Sequence, residues 1–490
     1  MNIQAIFNVV GALLVLLSGL LLAPLGIALY FSTPAADGYF SGTQAFSITF
    51  VAALVSGLIL WKLLPSGVEK LRDREGFVIV AMSWLFISLF GSLPYLLTGV
   101  CPRFVDAFFE TMSGFTTTGA SILTNIESAP REILFWRNLT QWIGGMGIII
   151  LSLAIFPALG IGSSRLFKAE IPGGATVDRM QPRLAETAKI LWKTYIILTG
   201  LEIIFLRFGG VDLFDAVCHT FSTVATGGFS PYNSSIGFFD DPYIESVVIL
   251  FMFLGGINFA LHYQLFSGNV KVVFKNPEFR WYGSMVLACV LLATWGLMET
   301  PEKTEPVHAF RSAAFNVVSI NTTTGFVTDD FNRWPDYLRV LMLGIMMVGA
   351  CSGSTSGSLK IVRMIILFKI IFREFQKLVH PRGIFHIKVG EKTLAPDDLS
   401  NVMALTLLFF GFACLSCLLL SFMGVDLTTA FSASVATLFN IGPGLGGVGP
   451  AGNYAGIPAL GKVILTACML MGRLEIFGVV LVLLPRTWRK

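Results

Sequence analysis

Apolar residues in this chain gather into long runs separated by short polar stretches. The runs at 5–31, 44–61, 77–98, 138–164, 246–270, 281–298 and 401–425 contain no Asp, Glu, Lys or Arg. A helix needs roughly 20 such residues to cross about 30 Å of hydrocarbon, so each run predicts a membrane span. The run at 190–208 predicts another, although it carries Lys193, Glu202 and Arg207. Two later runs look embedded but interrupted: 340–371 is broken by a Gly/Ser stretch, and 463–484 contains Arg473. The pattern therefore predicts ten spans and an all-α polytopic membrane protein.

Between some of these runs lies a polar segment too short to span, and it recurs in one register. Twelve residues separate Ala107 from Gly119, Ala216 from Gly228, Ala313 from Gly325 and Ala430 from Gly442. Two residues before each glycine stand Thr117, Thr226, Thr323 and Asn440. A fourfold internal repeat is an architectural signature. It predicts four tandem units of span, re-entrant half-helix, extended loop and span, in pseudo-fourfold arrangement around a central pore. The units take residues 69–165, 166–272, 273–392 and 393–490, after an extra N-terminal helix pair at 1–68.

Composition agrees with this class: 54% of the 490 residues are hydrophobic and 13% charged, against about a quarter charged in soluble domains. The net charge of +4 is small, and its placement matters more. Lys62, Lys70, Arg72 and Arg74 follow the second run; Arg165, Lys168, Arg179, Arg183, Lys189 and Lys193 follow the fourth; Lys271, Lys275 and Arg280 follow the sixth. Residues 360–392 are again basic, as are Arg486, Arg489 and Lys490. All fall on one side if the spans alternate, so the positive-inside rule predicts both termini in the cytoplasm. No basic residue precedes the first run, and that run is longer than a signal-peptide core, so a retained span is expected. No cytoplasmic stretch is long enough for a separate soluble domain.

Physics restricts what the repeated segment can be. Non-helical backbone is tolerated in a membrane only where protein buries it or where it lines water. A short helix such as 106–115 aims its negative dipole end at the centre, which favours a cation. The glycines permit a twist that turns carbonyls inward, and rings of carbonyl oxygens can replace the hydration shell of a monovalent cation. No ring of carboxylates occurs at these positions, which disfavours Ca²⁺ or Mg²⁺. The Gly/Ser stretch holds Gly349, Ser352, Gly353, Ser354, Thr355, Ser356, Gly357 and then Lys360. Small residues can mark a helix crossing, but so many in ten positions predict an unwound loop acting as a gate. Lys360 and Arg363 are expected to face the cytoplasmic mouth. A charge at mid-span faces a partner or a cavity. Glu475, two residues from Arg473, does not share its helix face. Arg473 is therefore expected to project toward the pore near the gate loop, where its charge slows cations.

At these residues the chain resembles a known family: the Trk, Ktr and HKT superfamily of potassium transporters, most closely its bacterial TrkH/TrkG branch. The matching pieces are T-T-T-G-A-S (116–121), T-G-G-F-S (226–230), N-T-T-T-G-F (321–326) and N-I-G-P-G-L-G (440–446). Outside them come Q-W-I-G-G-M-G (141–147), G-G-I-N-F (255–259), G-A-C-S-G-S-T-S-G-S-L-K (349–360) and G-R-L-E (472–475). The resemblance covers essentially the whole chain. It implies four covalently linked potassium-channel-like units, with K⁺ as the transported ion and no organic cofactor. The implied potassium-binding filter is Thr117, Thr118 and Gly119; Thr226, Gly227 and Gly228; Thr323, Thr324 and Gly325; Asn440, Ile441 and Gly442. After the key glycines stand Ala120, Phe229, Phe326 and Pro443, and only the fourth loop places a second glycine, Gly444. The outer ion sites are thus expected to be weaker, and Na⁺ less thoroughly excluded, than in a strict potassium channel. The resemblance also implies a homodimer in the bacterial inner membrane, controlled by a separate cytosolic nucleotide-binding subunit of the TrkA kind.

Other motifs carry less. The pattern Gly442-x-Gly444-x-x-Gly447 matches a dinucleotide fingerprint but follows no strand. The run 353–360 lacks the Gly-Lys-Ser/Thr of a phosphate-binding loop. The five histidines are scattered, with His219 expected to pack in the second half-helix. The seven cysteines sit mostly in apolar runs, where cysteine behaves as a small hydrophobe. No nucleophile–base pair marks an enzyme, and nothing points to nucleic acid. The alternative reading is an obligatory H⁺- or Na⁺-coupled potassium symporter, which a fixed transport stoichiometry would reveal.

Overall fold

A computed structural model describes residues 1–31, 34–64, 73–147, 181–300, 305–390 and 392–485. Lys70, Arg72, Arg165, Lys168, Arg179, Arg486, Arg489 and Lys490 lie outside the described residues, as does the second half of the span expected at 138–164.

The described chain is helical apart from a two-residue hairpin pairing Lys388–Val389 with Lys392–Thr393. It opens with α1 (Ile3–Leu20), α2 (Leu22–Phe31) and α3 (Gly42–Leu63). Next come α4 (Asp73–Gly91), α5 (Leu93–Leu97), α6 (Phe104–Phe115) and α7 (Arg131–Gly145). After the gap follow α8 (Gln181–Phe208), α9 (Leu213–Val224), α10 (Pro242–Gly255), α11 (Phe259–Phe266) and α12 (Val270–Lys275). The chain continues through α13 (Pro277–Met298), α14 (Pro306–Asn321), α15 (Asp336–Met347) and α16 (Ile361–Val379). It ends with α17 (Pro396–Phe422), α18 (Leu427–Leu438), α19 (Ala459–Arg473) and α20 (Phe477–Leu483).

Among the described residues, five helical stretches are long and apolar enough to cross a membrane: Ile3–Phe31, Gly42–Leu63, Glu75–Leu97, Pro277–Met298 and Pro396–Phe422. The run at 246–270 is not the single span its composition suggests. It divides into α10 and α11, which meet at 105°. The break has local causes. A side chain on Gly255 or Gly256 would press on Thr226, Tyr282 or Ala350, and Asn258 starts the new helix by accepting the N–H of Ala260 at 2.8 Å. The run at 463–484 is broken as well, at Glu475 and Ile476, where φ is 52° and 60°. The interruption in 340–371 is complete, since residues 348–360 carry no helix between α15 and α16. Helix α7 stops at Gly145, and Gly147 turns left-handed at φ 69°.

The N-terminal pair is held by close backbone approach. A Cβ on Gly11 would meet the Gly57 carbonyl at 2.8 Å, and one on Gly57 would meet the Val15 nitrogen at 2.8 Å. Small residues bring membrane helices together in this way. Asn8, buried in the seam, donates to the carbonyls of Trp61 and Leu64 at 2.6 and 2.7 Å. Ser41 and Gln44 form a reciprocal capping box at the start of α3, pairing donors that would otherwise be orphaned. Gly57→Leu is therefore expected to lower the thermal-unfolding midpoint in detergent, the overpacking costing about 1–3 kcal/mol. Gly26→Ala, whose added Cβ meets nothing within 4 Å, should leave the midpoint unchanged.

Candidate functional site

Four short helices, α6, α9, α14 and α18, finish in the same way. In each, two backbone bonds close the end: Thr117 N–H to Gly114 O (3.0 Å) with Thr118 N–H to Ser113 O (2.9 Å), and Thr226 to Thr223 (2.9 Å) with Gly227 to Ser222 (2.8 Å). The same pair recurs as Thr323 to Ile320 (3.1 Å) with Thr324 to Ser319 (2.8 Å), and as Asn440 to Thr437 (3.3 Å) with Ile441 to Ala436 (2.8 Å). This is a Schellman end, whose left-handed position ordinarily belongs to glycine. Here that position is Thr117, Thr226, Thr323 or Asn440, at φ 53°, 53°, 61° and 55°. A β-branched residue in that region is strained by about 1–3 kcal/mol, so the side chains must have a use that glycine cannot serve.

Two residues later come Gly119, Gly228, Gly325 and Gly442, with φ between 77° and 100°. Each abuts the loop that follows it. A Cβ on Gly119 would strike the Gly227 carbonyl, one on Gly228 the Thr324 carbonyl, and one on Gly325 the Ile441 carbonyl. One on Gly442 would meet the Thr118 carbonyl at 2.7 Å, which closes the circle. The twelve residues expected from the sequence are thus brought together, carbonyl against glycine, in a ring. On one side of it a cavity of about 90 Å³ touches all four of these glycines. A larger cavity of about 560 Å³ lies elsewhere, between residues 34–42 and 123–132.

The loops are not equivalent in their support. Gly227 lacks the side chain that Thr118, Thr324 and Ile441 carry, and Gln141 of α7 fills the space. Its Nε2 donates to Gly227 O at 2.6 Å, and its Oε1 accepts the N–H of Phe229 at 2.9 Å. Asn440 donates through Nδ2 to Thr118 Oγ1 and to Met469 O, both at 2.9 Å. Tyr454 donates its hydroxyl to Gly442 O at 2.7 Å. His219 is buried within α9, between the Asp215 carbonyl and Ser230 Oγ.

On the side of the ring away from the cavity lies the loop at 348–360. Thr323 Oγ1 accepts the N–H of Gly357 at 2.7 Å, and Thr226 Oγ1 lies 3.2 Å from Thr355 Oγ1. Thr355 Oγ1 also donates to Val224 O (3.0 Å), and the N–H of Ser358 to Phe439 O (3.0 Å). The loop leans on the breaks in neighbouring helices: Cys351 N–H donates to Gly256 O, and Phe259 N–H to Gly353 O, both at 3.0 Å. Glu278 accepts the N–H of Ser352. Gly349 and Gly357 have no room for a side chain, since a Cβ on either would press on backbone, Gly357 O or Phe439 O. Gly353 is left-handed at φ 72°.

Arg473 joins the loop to the first short helix. Its Nη1 donates to Thr117 Oγ1 and Thr355 O, both at 3.1 Å, and its Nη2 to Gly144 O and to Gly145 O (2.9 Å). Arg473 therefore lies beside the loop at 348–360, its guanidinium hydrogen-bonded between that loop and Thr117. The guanidinium is bound by carbonyls at the C-terminus of α7, where the helix dipole favours it. Glu475 does not pair with Arg473; it binds Arg363 from α16. Lys360 bends back onto the Ser356 carbonyl. Sequence reasoning missed Gln141, Tyr454 and the break after Gly255. The available signal was paired glycines inside an apolar run, which weaken a helix and often accompany its kinks.

Among the described residues, no group of three or more His, Cys, Asp or Glu side chains could hold a metal ion. Comparison with known proteins gives concordant relatives. The family model described as "TrkH: Cation transport protein" matches residues 42–489. The Trk system potassium uptake protein TrkH of Salmonella typhimurium is 42% identical over 495 residues, covering 100% of both chains. The Escherichia coli protein TrkG of the same system is 33% identical, covering 100% of this chain and 99% of the relative. The crystal structure of the potassium transporter TrkH from Vibrio parahaemolyticus superposes with a TM-score of 0.88 at 38% identity over 100% of both chains. The chain belongs to the TrkH family of cation transport proteins, which are transporters and not enzymes.

Proposed function

We propose that this chain is the membrane subunit of a Trk-type potassium uptake system of the bacterial inner membrane, and that the four-loop ring is its selectivity filter. The observation that carries this reading is the closed circle of glycine-to-carbonyl contacts among Gly119, Gly228, Gly325 and Gly442. The units 69–165, 166–272, 273–392 and 393–490 then stand in pseudo-fourfold arrangement around the pore, and the pair 1–68 packs outside it. Four helix C-termini aimed at one axis favour a cation there. Carbonyls of Thr117, Thr118, Thr226, Gly227, Thr323, Thr324, Asn440 and Ile441 replace the hydration shell of a dehydrated K⁺. At the outer level Tyr454 occupies the Gly442 carbonyl, which supports the expectation of weaker outer sites. Replacing any of the four glycines by serine should impair K⁺ uptake or narrow K⁺ over Na⁺ discrimination in proteoliposomes. Wild-type rate and selectivity in all four variants would remove the filter.

The loop at 348–360 acts in this reading as the gate. It lies against the filter threonines, and Arg473 fastens it by two hydrogen bonds to Thr355 O and Thr117 Oγ1. Arg473→Ala deletes both bonds and a charge beside the ion path. Basal K⁺ flux should rise in this variant, and again when residues 353–357 are deleted. Flux at the wild-type level in both, in folded protein, would rule the gate out.

Control then comes from outside the chain. Lys369, Arg373, Lys377, Arg382 and Lys388 make the segment after the gate basic, a surface that suits an acidic partner and salt-sensitive docking. A homodimer with both termini cytoplasmic would present two such segments to a TrkA-type nucleotide-binding subunit. A nucleotide bound to that partner opens the pore only as far as it favours the open assembly over the closed one. Nucleotide should therefore change K⁺ flux only in liposomes containing both proteins. A response from this chain alone would contradict the reading.

A further inference from the structure

Behind the ring sits an ion pair that the functions above do not use. Arg137 of α7 and Glu110 of α6 are both wholly buried, with Nε donating to Oε1 at 2.9 Å. The remaining polar contacts of the pair converge on two short stretches. Ser121 Oγ donates to Glu110 Oε1 at 2.9 Å, and the N–H of Ile122 to Glu110 Oε2 at 2.9 Å. Arg137 donates through Nη2 to Ser121 Oγ at 3.2 Å and through Nη1 to Ser230 O at 3.1 Å, and its guanidinium lies 4.2 Å from the Phe229 ring centre. Ser121 and Ile122 follow Gly119, and Phe229 and Ser230 follow Gly228. One pair therefore grips the outgoing strands of two different loops, beside the cavity over the ring.

The corresponding strands of the third and fourth loops are held by neutral hydroxyls. Ser319 Oγ donates to Phe326 O at 2.6 Å, and Ser432 Oγ to Leu445 O at 2.8 Å. A buried ion pair is weak as a source of stability, because desolvation offsets its attraction and an apolar pair can do as well. Its distinctive property is directional: a planar guanidinium with several donors fixes the positions of its acceptors. Being neutral as a pair, it places no net charge beside the ion path.

We propose that Glu110 and Arg137 are positioning residues for ion selectivity, holding the first and second loops at the spacing that favours K⁺ over Na⁺. This rests on the filter reading. Without the pair, those two loops can close around the smaller ion, while the third and fourth keep their own supports.

The test compares E110Q/R137M, which removes both charges and leaves net charge unchanged, with Ser121→Ala, which removes the hydroxyl shared by the pair. The readouts are the K⁺/Na⁺ and K⁺/Rb⁺ uptake ratios in proteoliposomes, with thermal unfolding as the control for structure. The double variant is expected to lose about tenfold in K⁺ over Na⁺ discrimination, equivalent to about 1.4 kcal/mol. Ser121→Ala should lose less, in the same direction, with unfolding near the wild-type midpoint. Should the double variant fail to insert, Ser121→Ala decides. Wild-type ratios in every variant that folds would overturn the proposal. Gly325→Ser, measured alongside, separates the two layers: if it alone shifts the ratio, the clamp fails and the filter stands; if nothing shifts the ratio, the filter reading fails with it.

Discussion

Backbone that leaves the helix inside a bilayer must find its hydrogen-bond partners within the protein, and this constraint organises the molecule. Each of the four short helices ends in the buried interior with carbonyls that no further turn can pair. The Schellman bonds at Thr117, Thr226, Thr323 and Asn440 consume some of them. The loop at 348–360 has the same difficulty and answers it against the same helix ends. It donates to Phe439 O, Val224 O and Gly256 O and receives support from Thr323 and Arg473. Ring and loop are thus two non-helical segments that satisfy each other. Either one, lifted alone into hydrocarbon, would expose groups that cost several kcal/mol apiece.

The constraint also accounts for threonine where glycine would be easier. A glycine at the left-handed position would relieve strain but present nothing to the loop below. The Thr323 hydroxyl pairs the N–H of Gly357, and the Thr117 hydroxyl takes a guanidinium hydrogen of Arg473. Asn440 uses an amide because its neighbours differ: it must reach Thr118 and Met469 together. The fourfold plan is therefore one of backbone, while the side chains differ from loop to loop. Gln141, standing in for the side chain missing at Gly227, is the plainest case.

The sequence disclosed what depends on local pattern. Uninterrupted apolar runs located the long helices, because length and hydropathy alone decide them. The Ala-to-Gly register located the ring, because each glycine answers both a positive φ and a close backbone approach. What stayed hidden depends on partners distant in the chain. The apolar run at 246–270 signals its 105° bend only through its paired glycines, since the bend is set by Thr226, Tyr282 and Ala350 packing against them. Arg473 was recognisable as exceptional, but its acceptors lie on three other elements. For the same reason Glu475 was not seen as the partner of Arg363. Glu110 and Arg137, each unremarkable in its own stretch, become a pair only when α6 and α7 are set side by side.

The mutual satisfaction of ring and loop bears on how the proposed gate can move. Leaving the ring breaks the bonds at Gly357, Thr355 and Ser358, each worth about 0.5–1.5 kcal/mol net where water can replace the lost partner. In a dry interior the cost would be the full penalty for an unpaired group, so the loop cannot open ahead of water. Opening of the loop and entry of water to its freed backbone groups are then one event. That event stays within a few kcal/mol, a range that differential binding of a partner can supply. Arg473 couples the parts that would have to separate, because it holds Thr355, Thr117 and the end of α7 at once. A partner of the proposed kind, pulling on α16, would reach it through Arg363 and Glu475, whose ion pair joins the helix leaving the loop to the break just past Arg473. In that reading a connection from the basic segment at 369–388 to Thr117 runs along α16, across that pair and into the guanidinium.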